Sequence, residues 1–499
     1  MSLSSASAIP ARGASAPGMR ALLVPLALYA VAFAIFWPRG ISVNDESSYV
    51  RAAVAFAHGA TTISVRDGLT GLTERILPGA YPPGTALLMS PVVLIAGPAA
   101  APLASLLCFL GTALLLSMWL SREGRSPIFA LLYMGYLPAL VLGRVSMSDV
   151  PSGLVVCAAQ MLLFANAPEG ATRPLARNDF AAGLLSGLAL LFRETNALFV
   201  APLIVGILLR REGRARPILL GGLVGVGLRL LGAWLAFGNP LFAKEHGYGW
   251  SLHWALAHLP LYLGALLLLA PGGLAAAILY RGPRRAELLG TVLLVLVFFL
   301  AYGYSGEESG FFKQLVLGPR YFIPLIPLLA VASAETIPRL WVKWGSPGGA
   351  RLPGLLAVAW LVCVSAASAV HPVLWRFQRD QGELARQLCA STTSGVALVL
   401  DQVEAGKYLA ACAEARSPVD FGMLQPEQLP SLVARDGAAE VVLFERDDSD
   451  FHRTRKALDA GWVASAARLC QLSTISDTRH GEVRLLVARA TRCSAATTR

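Results

Sequence analysis

The sequence predicts a polytopic α-helical membrane protein that ends in a small soluble α/β domain. Of its 499 residues, 55% are hydrophobic and only 15% are charged, whereas an average soluble domain has about 25% charged residues. The apolar residues are also grouped into long runs, which a globular core does not need. A third observation is the change of composition near residue 375, where charge density rises and apolar runs shorten to strand length.

Eleven apolar runs are candidate spans, because a spanning helix needs about 20 apolar residues, with a range of about 17–25. They are 21–37, 99–120, 127–143, 150–166, 180–192, 197–209, 218–237, 259–280, 288–304, 321–338 and 354–371. Residues 1–20 are rich in Ser, Ala, Pro and Gly, which predicts a disordered tail. The first run lacks a small-residue cleavage site after it, so we expect a retained span and not a signal peptide.

Basic residues in short loops indicate which side of the membrane is cytoplasmic. With the N-terminus inside and eleven spans, the basic clusters between spans all fall inside. They are Arg122/Arg125, Arg173/Arg177, Arg210/Arg211/Arg214/Arg216, Arg281/Arg284/Arg285 and Arg339/Lys343/Arg351. The run 86–97 has 12 residues, too few to cross, so we assign it to a first outer loop, 38–98, with interfacial helices. The net charge of +11 follows this topology and does not indicate nucleic acid.

Residues 21–374 are therefore predicted to form the transmembrane domain, and residues 375–499 an extracytoplasmic α/β domain. In the second, the segments 395–401, 439–445 and 482–489 have the composition of strands, and the segments 404–415 and 451–461 that of helices. Its four cysteines allow two disulfides, the most local pairing being Cys389–Cys412 with Cys470–Cys493, or four free thiols. The other three, Cys108, Cys157 and Cys363, lie inside spans as small hydrophobes.

Ionisable residues at a membrane boundary are candidates for function, and they gather on the predicted outer face. Asp45 and Glu46 follow the first span, where one could act as a general base, or Asn44 or Asp45 could simply cap the next helix. Asp149 is either the N-cap of the fourth span or a contact for metal or substrate. Arg193 either pairs with its neighbour Glu194 or binds phosphate.

Further candidates lie in the other predicted outer loops. Arg320 and Lys313 are outer cations, which either interact with lipid headgroups or bind phosphate. Tyr81, Pro82 and Pro83 give a rigid start to the next helix and could form a wall of a substrate groove. The remaining candidates are His246, Tyr248 and Tyr321 for substrate contact, and Glu307 and Glu308 for a divalent cation with Asp45 or Asp149.

Some classes of function are disfavoured by the sequence. It contains no phosphate-binding glycine loop, no nucleophile elbow and no His/Glu metal-helix motif, which argues against a cytosolic enzyme driven by a nucleotide. No cofactor is specified, apart from the hypothesis of a divalent cation, Mg²⁺ or Mn²⁺, at carboxylates such as Asp149, Glu307 and Glu308.

Taken in order, six motifs between about residues 20 and 335 resemble a known family. They are NDESSY, YPPGTALLMSPVVLIAG, SMSDVPS, GLLSGLALLFRETNALFVAPL, FGNPLF with GYG, and GPRYFIPLIP. The pattern resembles the GT-C glycosyltransferases of the dolichyl-phosphate-mannose protein mannosyltransferase type, glycosyltransferase family 39. The resemblance implies a GT-C fold and a polyprenyl-phosphate donor that carries one monosaccharide. The hexosyl or pentosyl group would be transferred with inversion to a glycan, lipid or protein hydroxyl, at the outer face of the cytoplasmic membrane.

The same resemblance implies roles for individual residues. Asp45 matches the first-loop acid and would be the catalytic base, with Glu46 as the fallback. Arg320, Lys313 and Arg193 would hold the donor phosphate. Asp149 would match a second-loop acid that lies near a metal in some relatives, and the YPPG helix would belong to a first-loop lid.

Two other classes of function are alternatives. A transporter or flippase of lipid-linked sugars would place its site near the midplane, and Arg229, in the middle of the seventh span, favours that class. A binding protein whose tail does the work would use the helices only as an anchor, for which eleven spans are excessive.

Overall fold

The structure is a computed structural model, and it is mostly helical. It describes residues 16–66, 73–77, 81–164, 174–242, 249–303, 318–343, 351–391, 397–399, 419–420, 425–445, 450–480 and 483–494. The helices up to residue 301 are α1 Ala16–Ile35, α2 Asn44–Ala57, α3 Gly84–Ala96, α4 Pro102–Arg122, α5 Leu131–Met134, α6 Leu137–Leu142, α7 Asp149–Phe164, α8 Pro174–Phe192, α9 Ala197–Leu209, α10 Ala215–Phe237, α11 Leu252–Leu269, α12 Gly273–Leu279 and α13 Arg285–Ala301. The later ones are α14 Ile326–Lys343, α15 Arg351–Ser391, α16 Leu429–Asp436 and α17 Asp450–Leu469.

Four helices of the described residues are long and apolar enough to cross a membrane, judged by length and composition. They are Pro98–Arg122, Ala215–Phe237, Leu252–Leu269 and Pro319–Trp341. Shorter apolar helices cover Leu22–Ile35, Gly84–Ala96, Asp149–Phe164 and Glu194–Leu209. The predicted spans therefore form helices of different lengths.

Two of the predicted spans are broken. The run 127–143 is a 3₁₀ turn followed by α5 and α6, because Pro127 and Pro138 begin new helical segments and Gly135 ends α5. The run 259–280 stops at Ala270 and restarts as α12 after Gly272, whose φ of 76° is left-handed backbone that glycine adopts freely. Both interruptions follow from proline and glycine, which end helices.

The segment 38–98 contains α2, α3 and a hairpin of two antiparallel strands, β1 Ile63–Arg66 and β2 Thr73–Ile76. α1 starts at Ala16, so the last five residues of the predicted disordered tail are helical, and residues 1–15 lie outside the described residues. The N-cap of α2 is Val43, with no side-chain cap. The interpretation of Asn44 or Asp45 as a cap is therefore wrong, and both lie in the first turn of the helix.

Close backbone contact joins α8 to α10 through glycines spaced four residues apart, a spacing that lets membrane helices approach closely. A Cβ atom at Gly183 would lie 1.9 Å from the carbonyl oxygen of Ile218, and one at Gly221 would lie 2.0 Å from that of Phe180. Because backbone atoms cannot swing aside as side chains can, these positions must be glycine. The contact holds α8 in place, and Arg193 directly follows this helix.

The helix α15 continues through the predicted domain boundary at 374/375 and ends at Ser391. It crosses the chain after α1 at a glycine pair, since a Cβ at Gly382 would lie 2.5 Å from the carbonyl oxygen of Arg39. The last part of the predicted soluble domain is therefore attached to the helical part by a long helix.

The C-terminal part of the described chain is a five-stranded sheet packed with α16 and α17. A short antiparallel pair, β3 Gly249–Trp250 with β4 Tyr302–Gly303, comes before this sheet in the chain. The strands of the sheet are β5 Ala397–Val399, β6 Val419–Asp420, β7 Ala439–Glu445, β8 Cys470–His480 and β9 Val483–Cys493, in the order β6-β5-β7-β9-β8. β5 pairs in parallel with β6 and β7, and the β7–β9 and β8–β9 pairs are antiparallel. The sequence did not predict β8, because its alternating polar residues give no apolar run. The predicted helix 404–415 lies outside the described residues.

A disulfide joins Cys470 to Cys493 at the end of the β8–β9 pair. This is one of the two local pairings that the sequence allowed. The side chain of Cys389 and the whole of Cys412 lie outside the described residues. Cys108 and Cys157 are buried free thiols, as expected for small apolar residues in helices.

Candidate active site

Asp45 lies at the start of α2, half-buried and in contact with the YPPG segment. The hydroxyl of Tyr81 donates a hydrogen bond to Asp45 Oδ1 at 2.5 Å. Burial raises the pKa of Tyr81 above its ordinary value, and the charge of Asp45 raises it further, so the hydroxyl stays protonated and remains a donor. The ring of Tyr49, one turn further along α2, lies 4.8 Å from the ring of Tyr81. Tyr81 thus binds the first predicted acid, and Tyr49 packs against Tyr81.

Glu46 has a different environment, although it is the next residue. It is only 2% exposed, and its two carboxylate oxygens accept hydrogen bonds from the backbone N–H groups of Ser42 at 2.7 Å and Ser146 at 2.8 Å. Burial raises the pKa of Glu46 to about 7, against the opposing effect of these hydrogen bonds. A pKa near neutrality suits a general base, but the buried carboxylate is engaged by the backbone. The geometry therefore favours Asp45.

The two predicted cations that the structure describes meet at the same carboxylate. Arg193 Nη1 donates to Asp149 Oδ1, and Arg320 Nε lies 3.9 Å from that oxygen. The ring of Tyr321 lies 5.0 Å from the guanidinium carbon of each arginine, and its hydroxyl accepts from Arg320 Nη2 at 3.1 Å. Cation–π contacts hold the pair of positive charges close together.

These contacts correct two interpretations. Asp149 is the first residue of α7, but it pairs with arginines from two other segments, so a simple N-cap role does not account for it. Arg193 does not pair with Glu194; that carboxylate accepts from Arg229 at 3.3 Å. The residue before Glu194 has extended backbone, with φ −158°, which turns the two neighbouring side chains to different partners.

A small cleft opens beside the arginine pair. Its polar lining consists of Asp149, Ser152, Arg193, Thr195, Asn196 and Arg320. Tyr321 and the ring of Phe299, stacked on it at 5.0 Å, form an apolar wall. Asp149, Arg193 and Arg320 therefore form a charged cluster, and Asp45 lies within electrostatic range of its Arg320.

The proline pair sets the position of Tyr81 beside Asp45. Pro82 and Pro83 are buried, and Pro83 is the N-cap of α3. A Cβ atom at Gly84 would lie 2.7 Å from the carbonyl oxygen of Leu191, so the start of α3 rests directly on the last turn of α8. The YPPG motif therefore lies beside the break between α8 and α9, which contains Arg193.

Several predicted site residues lie outside the described residues: Lys313, His246, Tyr248, Glu307 and Glu308. In the described part of the chain, no three His, Cys, Asp or Glu side chains form a group that could hold a metal. Asp149 faces two guanidinium groups, an environment that repels a divalent cation. The described residues therefore do not fit the hypothesis of a metal at Asp149, and no step of the chemistry below uses one.

A buried polar network beneath the site was not expected from the sequence. Arg144 is fully buried, donates to the carbonyl oxygen of Phe36 and contacts His371 Nδ1. Gln378 in α15 accepts from Arg144 at 3.3 Å and donates to Ser42 Oγ at 2.9 Å. A lone charge inside an apolar stretch is the signal that marks such a residue. The network ties α15 to the loop that carries the acid pair.

The fold is similar to those of solved GT-C membrane glycosyltransferases. ArnT from Cupriavidus metallidurans, in a crystal structure with undecaprenyl phosphate, matches with a TM-score of 0.63 and 16% identity, over 95% of this chain and 98% of that one. At this identity the likeness establishes the fold alone.

Two further structures match over most of this chain. The apo Archaeoglobus fulgidus oligosaccharyltransferase has a TM-score of 0.50 and 10% identity, over 92% of this chain and 73% of that one. The arabinofuranosyltransferase AftD from Mycobacteria has a TM-score of 0.52 and 16% identity, over 96% of this chain and 42% of that one. No protein-family model and no curated protein matches the sequence. The predicted resemblance to GT-C glycosyltransferases is confirmed for the fold.

Proposed function

We propose that this protein is an inverting glycosyltransferase that moves one monosaccharide from a polyprenyl-phosphate donor to an acceptor hydroxyl. The observation that supports the proposal is that Arg320, which shares Asp149 with Arg193, is within electrostatic range of Asp45, so that a proton acceptor lies near two groups able to bind phosphate. Guanidinium groups bind phosphate oxygens in a fixed fork geometry. The matching ArnT structure was solved with undecaprenyl phosphate, which supports a lipid phosphate as the donor group.

The proposed reaction is a single displacement. The acceptor oxygen attacks the anomeric carbon, the bond from that carbon to the phosphate oxygen breaks, and its electron pair leaves with the phosphate. The acceptor proton passes to the carboxylate of Asp45. The arginines stabilise the negative charge that develops on the leaving phosphate, so a separate general acid is not required.

We place the reaction at the outer face of the cytoplasmic membrane, with about eleven spans and an extracytoplasmic C-terminal domain. The basic clusters between the apolar runs support this orientation. The Cys470–Cys493 disulfide supports it too, because disulfides persist in oxidising compartments. A hexosyl or pentosyl group and a glycan, lipid or protein acceptor are all compatible with the site.

The transporter alternative relied on Arg229, whose contacts support a structural role instead. The guanidinium of Arg229 donates to the carbonyl oxygens of Pro240 at 2.7 Å and Phe242 at 2.6 Å. It also bonds Glu194. The contacts with Pro240 and Phe242 join α10 to the segment that follows it.

The test is a transfer assay with a panel of polyprenyl-phosphate sugars, comparing the parent protein with Asp45→Asn and Glu46→Gln. Loss of the base should reduce transfer by at least about 100-fold in Asp45→Asn, while the variant still folds. Glu46→Gln, assayed well below its unfolding temperature, should keep most of the activity. Full activity in Asp45→Asn would exclude Asp45 as the base, and absence of transfer by the parent from every donor would refute the proposed function.

A further inference from the structure

The arginine pair is not a purely positive site, because a buried carboxylate lies within it. Asp149 is 1% exposed, pairs with Arg193 through Oδ1 and faces Arg320 through the same oxygen. Its Oδ2 is buried and has no hydrogen-bond partner among the described residues. The charged groups that line the described part of the cleft are these three side chains. Their sum is one positive charge.

We propose that Asp149 is a counter-ion that lowers the charge of the donor-phosphate site, so that a phosphomonoester gains less advantage over a phosphodiester than it would at two arginines alone. This inference rests on the proposed function. The donor, a phosphodiester between the polyprenyl chain and the sugar, carries a single negative charge. The carrier phosphate that remains after transfer is a monoester, with a charge of about −1.5 to −2 at pH 7.

The consequence is a difference between substrate and product. Two arginines without a carboxylate would bind the more highly charged product more tightly than the donor. The charge of Asp149 opposes every negative ligand, but it opposes the dianion more, because electrostatic energy is proportional to the product of the charges. Asp149 therefore weakens binding of the spent carrier and favours its release, while the donor keeps its two guanidinium contacts.

The geometry distinguishes this role from the other interpretations of Asp149. A metal ligand would direct its oxygens to a cation site built from further oxygens, whereas Oδ1 points at two guanidinium groups. A purely structural ion pair would serve Arg193 alone, but Asp149 also faces Arg320 and lines the cleft. The carboxylate is placed to act on whatever anion the arginines bind.

The experiment measures binding of two lipids to the detergent-solubilised full chain at pH 8, where the monoester is a dianion. The probes are a polyprenyl phosphate and its methyl diester, which has one charge and needs no knowledge of the sugar. In Asp149→Asn we expect the polyprenyl phosphate to bind on the order of ten-fold tighter, with a change of less than about three-fold for the diester. Product inhibition of transfer by polyprenyl phosphate should strengthen in parallel.

A second variant keeps the inference testable if Asp149→Asn does not fold. Thr195 lines the same cleft, so Thr195→Asp adds a second carboxylate, and Thr195→Asn is its uncharged control of equal size. Thr195→Asp should weaken binding of the monoester more than that of the diester, and Thr195→Asn should affect both alike. The inference would be overturned if the ratio of monoester affinity to diester affinity were unchanged in both Asp149→Asn and Thr195→Asp. Metal-dependent binding that Asp149→Asn abolishes would overturn it too. Failure of the parent to bind either lipid would instead refute the proposed function.

Discussion

Asp45 and Glu46 are chain neighbours that face different surroundings, because successive residues of a helix are rotated by about 100°. Asp45 turns towards Tyr81 and the charged cluster. Glu46 turns into the protein and binds the backbone N–H groups of Ser42 and Ser146. The acid pair therefore combines two tasks: one carboxylate is available for chemistry, and the other fixes the loop that holds it.

The buried position of Glu46 predicts a pH dependence of stability. Its pKa is about 7 in the folded protein, against an ordinary value of 4.5, so between these pH values the unfolded chain releases a proton that the folded protein retains. The free energy of unfolding should therefore fall as the pH rises through this window and level off above it, by up to about 3 kcal/mol. Thermal unfolding of the parent and of Glu46→Gln between pH 4.5 and 8 measures the difference.

In that experiment the titrating carboxylate is absent from Glu46→Gln, so the variant should gain stability relative to the parent as the pH rises. Glu427→Gln is the control, because it removes a carboxylate from an exposed position. Parallel curves for the parent and Glu46→Gln across the whole range would contradict the predicted role of burial.

At the residue scale, the sequence indicated candidate site residues but not which of them pair. Asp45, Arg193 and Arg320 were identifiable because charges at the ends of apolar runs are unusual. The pairing of Asp149 with Arg193 and Arg320 was not, because it joins segments that are distant in the sequence. Arg144 was overlooked for the same reason, since its partners lie in the first connection and in α15.

At the element scale, the contact between α8 and α10 gives a sharp prediction. A methyl group at Gly221 would meet the carbonyl oxygen of Phe180 at 2.0 Å, so Gly221→Ala should push the helices apart and cost about 1–3 kcal/mol. Gly227 lies on the same helix with nothing within 4 Å of an added Cβ. Gly227→Ala should change stability by no more than about 1 kcal/mol, the difference in helix propensity.

The measurement is thermal unfolding in one detergent, with transfer activity measured in parallel. Because Arg193 directly follows α8, Gly221→Ala should also lower activity at temperatures where it is still folded. Equal unfolding temperatures for the two alanine variants would show that the close approach of α8 and α10 does not contribute to stability.

The helices were partly predictable because apolar runs longer than a few turns have few other structures available in a membrane. Their ends were less predictable. The breaks within 127–143 and 259–280 depend on single proline and glycine residues, and α15 continues beyond its apolar run because its polar half packs against the first connection and the C-terminal sheet. Strand β8 forms by pairing with β9, and no local sequence pattern indicates that pairing.

At the scale of the whole molecule, the candidate site is assembled from segments spread over most of the chain. Asp45 comes from the first turn of α2, Arg193 from the break after α8, and Arg320 from the turn before α14. All three must lie on one side of the membrane for the proposed reaction. The basic loop between α9 and α10 must then lie on the other side, and the C-terminal domain on the same side as the site.

Cysteine labelling tests this arrangement directly. Gly213 is exposed in the basic loop after α9, and Ser431 is exposed in the C-terminal domain. In right-side-out membrane vesicles, a membrane-impermeant maleimide should label Ser431→Cys at once and Gly213→Cys only after permeabilisation, because positively charged loops stay in the cytoplasm. The parent protein gives the background from native cysteines, and denatured samples should label at both positions. Immediate labelling of Gly213→Cys with protection of Ser431→Cys would invert the topology and place the charged cluster on the cytoplasmic side, where a donor at the outer leaflet could not reach it.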